Sequence, residues 1–281
     1  MLEDKVTEMF ENKTLLIDTE GERVGQINGL AVYNADFYSF GRPTRITATV
    51  SLGSGSIINV EREAGMSGRH YNKGVLIISG YFKETFGQEQ PLSFNANLVF
   101  EQSYGMVDGD SASCTEIFAL LSTLSGLPIK QSIAVTGSLN QKGDVQPIGG
   151  VNEKIEGFFD ICKLNRLTGN QGVIIPVQNI SDLMLREDII EAVKNNNFYI
   201  YPISRVEEGI EILTGVKAGK KSDSGYEEGS VFYLVEKKII TLYEKSRAVR
   251  TNNHGKDKKR VSAKSVKKKK EKSNHKTKEK D

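Results

Sequence analysis

Apolar residues recur along this chain with two periods. Between residues 18 and 100 the runs Ile46-Thr-Ala-Thr-Val50, Ser56-Ile-Ile-Asn-Val60, Val75-Leu-Ile-Ile78 and 92–100 are β-branched or alternating and separated by glycine-rich turns. Period-two alternation bounded by turn residues predicts strands. From residue 111 onward the period lengthens. Ile117, Leu120, Leu121 and Leu124 fall at i, i+3, i+4 and i+7, which predicts a helix over 111–125. Strands at 132–135, 172–175 and 198–203 then alternate with helices at 152–164, near 187–195 and at 206–213. The last helix stops at Thr214-Gly215, a residue pair suited to a helix C-terminus. A short helix is expected within residues 1–17, around Val6, Met9 and Phe10. The pattern predicts one α+β (α/β-like) domain over 18–215, a strand-rich half followed by alternating helices and strands.

Beyond 215 the pattern changes twice. Residues 216–250 read as a linker leading into an amphipathic helix with Val231, Leu234, Ile239, Ile240 and Leu242 on one side. Residues 251–281 hold 13 basic and 4 acidic residues and almost nothing apolar. Such a segment buries too little surface to offset the entropy of ordering it, so a disordered tail is expected. It serves either as a solubilising extension or as a tether to a polyanion.

Charge adds one exclusion. The net charge is only +2, yet residues 216–281 carry 21 Lys and Arg against 9 Asp and Glu, a net of +12. The first 215 residues are correspondingly acidic, at −10. An acidic folded body does not present the organised basic face of a nucleic-acid-binding domain, so nucleic acid could be engaged only through the tail. The cysteines, Cys114 and Cys162, sit in apolar-periodic segments and read as reduced core thiols. No apolar run approaches the ~18 residues of a membrane span, and no signal segment opens the chain. A soluble, cytoplasmic protein is expected. With three histidines, no CxxC and no HExxH, no metal site is expected.

Candidate chemistry centres on Gly105-Met-Val-Asp-Gly-Asp-Ser-Ala-Ser113, which delivers a small hydroxyl residue to the start of an apolar helix. Asp110, Ser111 or Ser113 could cap that helix, and Ser113 with Glu116 fits a capping box. Alternatively Ser111 is a nucleophile, with unpaired backbone N–H groups around Asp110–Ala112 able to stabilise an oxyanion. A nucleophilic serine needs a base. His254 and His275 lie in the basic tail, and His70 lies in a polar, glycine-flanked stretch, which disfavours a Ser-His-Asp triad. Lys154 is the remaining amine of note, because it falls on a helical face with Val151, Phe158 and Ile161. A lysine there either snorkels at the core edge or is desolvated inside a site.

Taken together, these segments resemble the Lon protease catalytic domain. Asp108-Gly-Asp-Ser-Ala-Ser113 resembles the family's nucleophile motif, and Gly149-Gly-Val-Asn-Glu-Lys154 resembles its Gly-Gly-x-x-Glu-Lys motif. The separation of Ser111 from Lys154 agrees with the family's spacing. Val135-Thr-Gly-Ser138 resembles the strand-end Thr-Gly-Glu, and Gly143-x-Val-x-Pro-Ile-Gly-Gly150 matches the approach to the lysine. The likeness covers roughly 18–215, including Val24-Gly-Gln-Ile-Asn-Gly-Leu-Ala31 and Ile174-Ile-Pro176. Glu116 stands where the family usually has an aliphatic residue, and Ser138 replaces a Glu. With Phe100-Glu-Gln-Ser103, these departures resemble the divergent Lon-related branch.

The resemblance implies a serine endopeptidase with a Ser-Lys dyad, Ser111 as nucleophile and Lys154 as base. It implies that the Thr136 hydroxyl holds the Lys154 amine. It also implies unfolded polypeptide substrates, a homo-oligomeric (hexameric) ring and an AAA+ ATPase. No Gly-x-x-x-x-Gly-Lys-Ser/Thr occurs in these 281 residues. Gly215-Val-Lys-Ala-Gly-Lys-Lys-Ser222 has the wrong spacing. No cofactor is therefore expected here, and ATP and Mg are expected only on an ATPase portion outside these residues or on a separate ATPase. A non-catalytic Lon-like assembly module with a nucleic-acid-binding tail is the competing expectation.

Overall fold

The computed structural model describes residues 8–35, 38–223, 225–249 and 251. Of the expected disordered tail, 251–281, all but Thr251 lies outside these, as do residues 1–7 of the stretch 1–17 expected to hold an N-terminal helix; residues 8–11 are helical.

Seven strands form the central sheet: β1 (Gln26–Ala35), β2 (Tyr38–Leu52), β3 (Ile57–Asn59), β4 (Phe94–Phe100), β5 (Ile133–Val135), β6 (Gly172–Pro176) and β7 (Tyr199–Ile203). Their order is β7-β6-β5-β1-β2-β4-β3. The half from β7 to β1 is parallel, β1-β2 and β2-β4 are antiparallel, and β3 returns parallel to β4. The long β1-β2 ladder runs from Gln26 opposite Thr47 to Ala35 opposite Tyr38. The helices are α1 (Val60–Glu63), α2 (Arg69–Phe86), α3 (Ser113–Ser125), α4 (Val151–Leu164), α5 (Glu187–Lys194), α6 (Val206–Thr214) and α7 (231–249).

Both faces of the sheet are covered, which explains why β6 reads as an unbroken apolar run with every residue buried. Its side chains divide between two cores. Ile174 joins Ile133 and Val135 in a large core with α2, α3, α6 and α7. Val173 and Ile175 join Ala134 and Leu30 in a smaller core under α4 and α5. Three layers result, helices on either side of one mixed sheet.

Two expectations need correction. Val75–Ile78 is not a strand but the middle of α2. The residues α2 buries (Tyr71, Val75, Ile78, Phe82) recur at helical spacing, while Leu76 faces solvent. A short apolar run cannot be assigned by its own periodicity, and the decisive residues here lie outside it. The strand expected at 56–60 ends at Asn59, whose side chain accepts from the Arg62 amide and caps α1.

The stretch expected as linker and amphipathic helix is packed onto the body. Ala218, Val231, Phe232, Val235, Ile239 and Leu242 all join the larger core, so the core extends past Gly215. Gly215 itself adopts the left-handed conformation expected at the end of α6.

Candidate active site

Ser111 sits in the turn before α3, and a set of hydrogen bonds ties that turn to the segment following β5. The Ser111 carbonyl accepts from the Gly137 amide at 2.8 Å and from the Thr136 hydroxyl at 3.3 Å. In return the Cys114 amide donates to the Gly137 carbonyl at 3.1 Å, and the Thr115 hydroxyl to the Val135 carbonyl at 3.0 Å. The Ser113 hydroxyl donates to the Asp110 carbonyl and accepts from the Leu139 amide. The serine backbone is thus fixed on both sides without strand pairing.

None of the three candidate caps caps the helix. Ala112 occupies the N-cap of α3 without a side-chain bond. The Ser113–Glu116 capping box is absent, because Glu116 turns inward and accepts from Tyr71 Oη at 2.6 Å and Asn59 Nδ2 at 3.0 Å. The Ser111 and Ala112 amides take no part in the bonds that hold the turn. They remain as donors at the positive end of α3.

Lys154 approaches from the other layer. It lies in the first turn of α4, whose start is set by Gly150 at φ +68°. A side chain at Gly150 would also collide with Val32 of β1, so this glycine allows both the turn and the close seating of α4. The preceding segment is fastened by Asn179, which accepts from the Ile148 amide at 3.0 Å and donates to the Ile148 carbonyl at 2.9 Å. A second close approach lies one turn away. The backbones of Gly41 in β2 and of Glu153 and Gly157 in α4 touch, and a methyl group on either glycine would overlap them.

The result is that Lys154 Nζ donates to Ser111 Oγ at 3.0 Å, with the lysine only 3% exposed. Burial pushes its pKa down to about 8, against the opposing pull of Asp110 and Glu153. Desolvation dominates because an ammonium loses its hydration without gaining a bonded carboxylate. A neutral amine touching a hydroxyl, beside unpaired amides at a helix N-terminus, can accept a proton while an oxyanion is stabilised. The site opens into a cleft of about 790 Å³, walled by Val32 and Tyr33 of β1, Arg42 of β2, and Tyr104 and Met106 from the loop before Ser111. Tyr104 and Met106 are 87% and 71% exposed. A smaller hollow on the other side of Ser111 is lined by Asp110, Pro147 and Asp182.

Of the residues expected at the site, Ser111, Lys154, Asp110 and Ala112 converge. Thr136 is also adjacent, but its hydroxyl bonds the Ser111 carbonyl rather than the Lys154 amine. His70 lies in the first turn of α2, largely exposed, and its ring contacts Asp108 at 3.2 Å, not Ser111. Asn179 and Arg42 drew no reading from the sequence, and Gly137 stood inside a quoted motif without a role of its own. The Gly41-Arg-Pro43 tripeptide was the available signal for Arg42. Among the described residues no cluster of three or more His, Cys, Asp or Glu side chains is placed to hold a metal ion, and no helix is long and apolar enough to cross a membrane.

The fold thus brings a loop serine against a desolvated lysine above a mixed sheet, and sequence comparison gives the family. Residues 102–215, which contain Ser111, Thr136 and Lys154, match the Lon protease (S16) C-terminal proteolytic domain. Over these residues the chain carries a Lon-type proteolytic domain. A Lon protease homolog of Escherichia coli (strain K12) is 44% identical over 214 residues, covering 75% of this chain and 36% of that protein. A second Lon protease homolog, from Haemophilus influenzae, is 47% identical over 206 residues, 73% of this chain and 34% of the relative. An archaeal Lon protease of Archaeoglobus fulgidus is 33% identical over 224 residues, 79% and 33% respectively. The chain thus spans about a third of the length of the curated relatives it matches.

Proposed function

We propose that this chain is a serine-type endopeptidase domain in which Ser111 is the nucleophile and Lys154 its general base. The observation that carries the reading is the 3.0 Å contact between Lys154 Nζ and Ser111 Oγ, with the lysine buried and its pKa near 8. In the neutral form of Lys154 the contact reverses, and the hydroxyl donates to the amine. As Oγ attacks the scissile carbonyl its proton passes to Nζ, and the amides of Ser111 and Ala112 receive the developing oxyanion. The lysine ammonium then protonates the departing amine. Water then attacks the acyl-enzyme, giving its proton to the now neutral Lys154 Nζ, which returns it to Ser111 Oγ as the acid product leaves. Thr136 and Gly137 act one step back, by holding the carbonyl of the nucleophile's own residue.

The cleft is open to solvent beside Ser111, which supports unfolded polypeptides as substrates. The Lon-type domain supports a homo-oligomeric ring and an ATPase that delivers those substrates from outside these 281 residues. The test is hydrolysis of casein by the full chain and by Ser111→Ala and Lys154→Ala, with and without a candidate ATPase. Loss of cleavage in both variants is expected. Cleavage that survives either substitution overturns the dyad.

A further inference from the structure

We propose that Arg42 is a specificity-determining residue, forming a subsite that accepts the carboxylate of an acidic side chain (Asp or Glu) in the bound polypeptide. The inference rests on the cleft at Ser111 being the peptide site. Arg42 lies in β2 opposite Ala31 of β1 and lines the same cleft as Ser111 and Lys154. Its guanidinium stands 5.5 Å over the Tyr33 ring, and Tyr33 is itself stacked on Phe40 at 5.9 Å. The stack fixes the direction of the arginine side chain.

What the guanidinium lacks is an acceptor. Its Nε is buried without a hydrogen-bond partner. Among the described residues Arg42 has no ion pair. Arg45, three residues along the same strand, pairs with both Asp18 and Glu101. Arg186 and Arg205 likewise each pair with two carboxylates. Asp108, the acid that lines the cleft, is already engaged by His70 and by the amides of His70 and Tyr71. A partly buried guanidinium without an acceptor is unfavourable, and an aromatic face offsets only part of that cost. A polypeptide lying in the cleft would strip the remaining water from Arg42. That step is favourable when the incoming chain supplies a carboxylate to the five N–H donors. The opposite hollow carries Asp110 and Asp182, so the preference is confined to the Arg42 side.

The experiment separates this subsite from the catalytic reading by measuring binding without turnover. The full chain carrying Ser111→Ala is titrated with two C-terminally amidated apolar peptides that differ only by one Glu or Gln. The Glu peptide should bind roughly tenfold or more tightly, the range of a charge-assisted hydrogen bond. Adding Arg42→Ala should abolish the difference, and Arg42→Glu should reverse it in favour of a Lys peptide. Equal binding of the Glu and Gln peptides, no measurable binding of either, or a preference that survives Arg42→Ala overturns the subsite. Loss of the dyad by the casein test would leave these binding results intact.

Discussion

Replacing Lys154 by Met should inactivate the chain yet stabilise it. In the unfolded chain the amine has its ordinary pKa of 10.5, and in the fold burial lowers it to about 8. A folded-state pKa below the unfolded one means that the unfolded chain binds the extra proton. Stability is therefore reduced by the full amount below pH 8, and recovers as pH rises from about 8 to 10.5. At 1.36 kcal/mol per pH unit the cost at neutral pH is about 3 kcal/mol. With only 3% of the residue exposed, solvent screening removes little of it. Methionine has similar length and no charge, and forfeits one hydrogen bond to Ser111 worth about 1 kcal/mol. The variant should therefore be about 2 kcal/mol more stable than the parent at pH 7. Urea denaturation of both proteins at intervals from pH 7 to 10.5 measures the difference and cancels contributions from groups common to the two. The gap should close as pH rises through this window, while the parent's kcat/KM for casein climbs through pH 8. A variant less stable than the parent at pH 7, or a gap that does not change with pH, would refute the claim that Lys154 is held desolvated.

Gly41→Ala should destabilise the fold by about 1–3 kcal/mol, because its methyl group would overlap the Glu153 carbonyl. Thermal denaturation checks the loss, and hydrolysis of casein should fall further than stability alone explains. Glu116 is raised to about 8 by burial. Since its folded pKa exceeds the unfolded 4.5, stability should decline between pH 4.5 and 8. Glu116→Gln should remove that decline in denaturation curves taken across the window. Truncation after Gly229 removes five buried apolar side chains of α7 (Val231, Phe232, Val235, Ile239, Leu242). At about 1.5–3 kcal/mol each the loss rivals the whole stability of a domain. The truncated chain should bind a hydrophobic dye and lose its cooperative thermal transition.

The parts of the fold legible in the sequence were those whose period shows within one element. α3 and α4 carry their apolar stripes over three or more turns, and both lie where the spacing predicts. β6 was equally clear, as a short apolar run between turn signals. α2 was misread because its run Val75–Ile78 is β-branched and its stripe is diluted by Lys73 and Gly74. β1 drew no specific prediction, since Asn28 and Gly29 interrupt its apolar positions. Asn28 belongs there because its amide donates to the Asp18 and Gln131 carbonyls, a long-range need invisible locally.

The site divides in the same way. Ser111 and Lys154 stand in motifs that can be read letter by letter. The Gly137 amide on the serine carbonyl and the unpaired guanidinium of Arg42 are properties of placement, created only when distant segments meet. Thr136 is an intermediate case: the motif located it at the site, and only the fold showed which atom it bonds.

One consequence follows from the seating of Ser111 and Lys154 in different layers of the molecule. α3, which follows the serine, packs into the core on one side of the sheet, and α4, which carries the lysine, into the core on the other. During synthesis and folding, a chain with a single layer docked has its lysine in water, charged and distant from the serine. With the proposed dyad, hydrolytic competence arrives only with completion of the tertiary structure. Under the proposed function, the domain is thereby kept from attacking its own half-made copies.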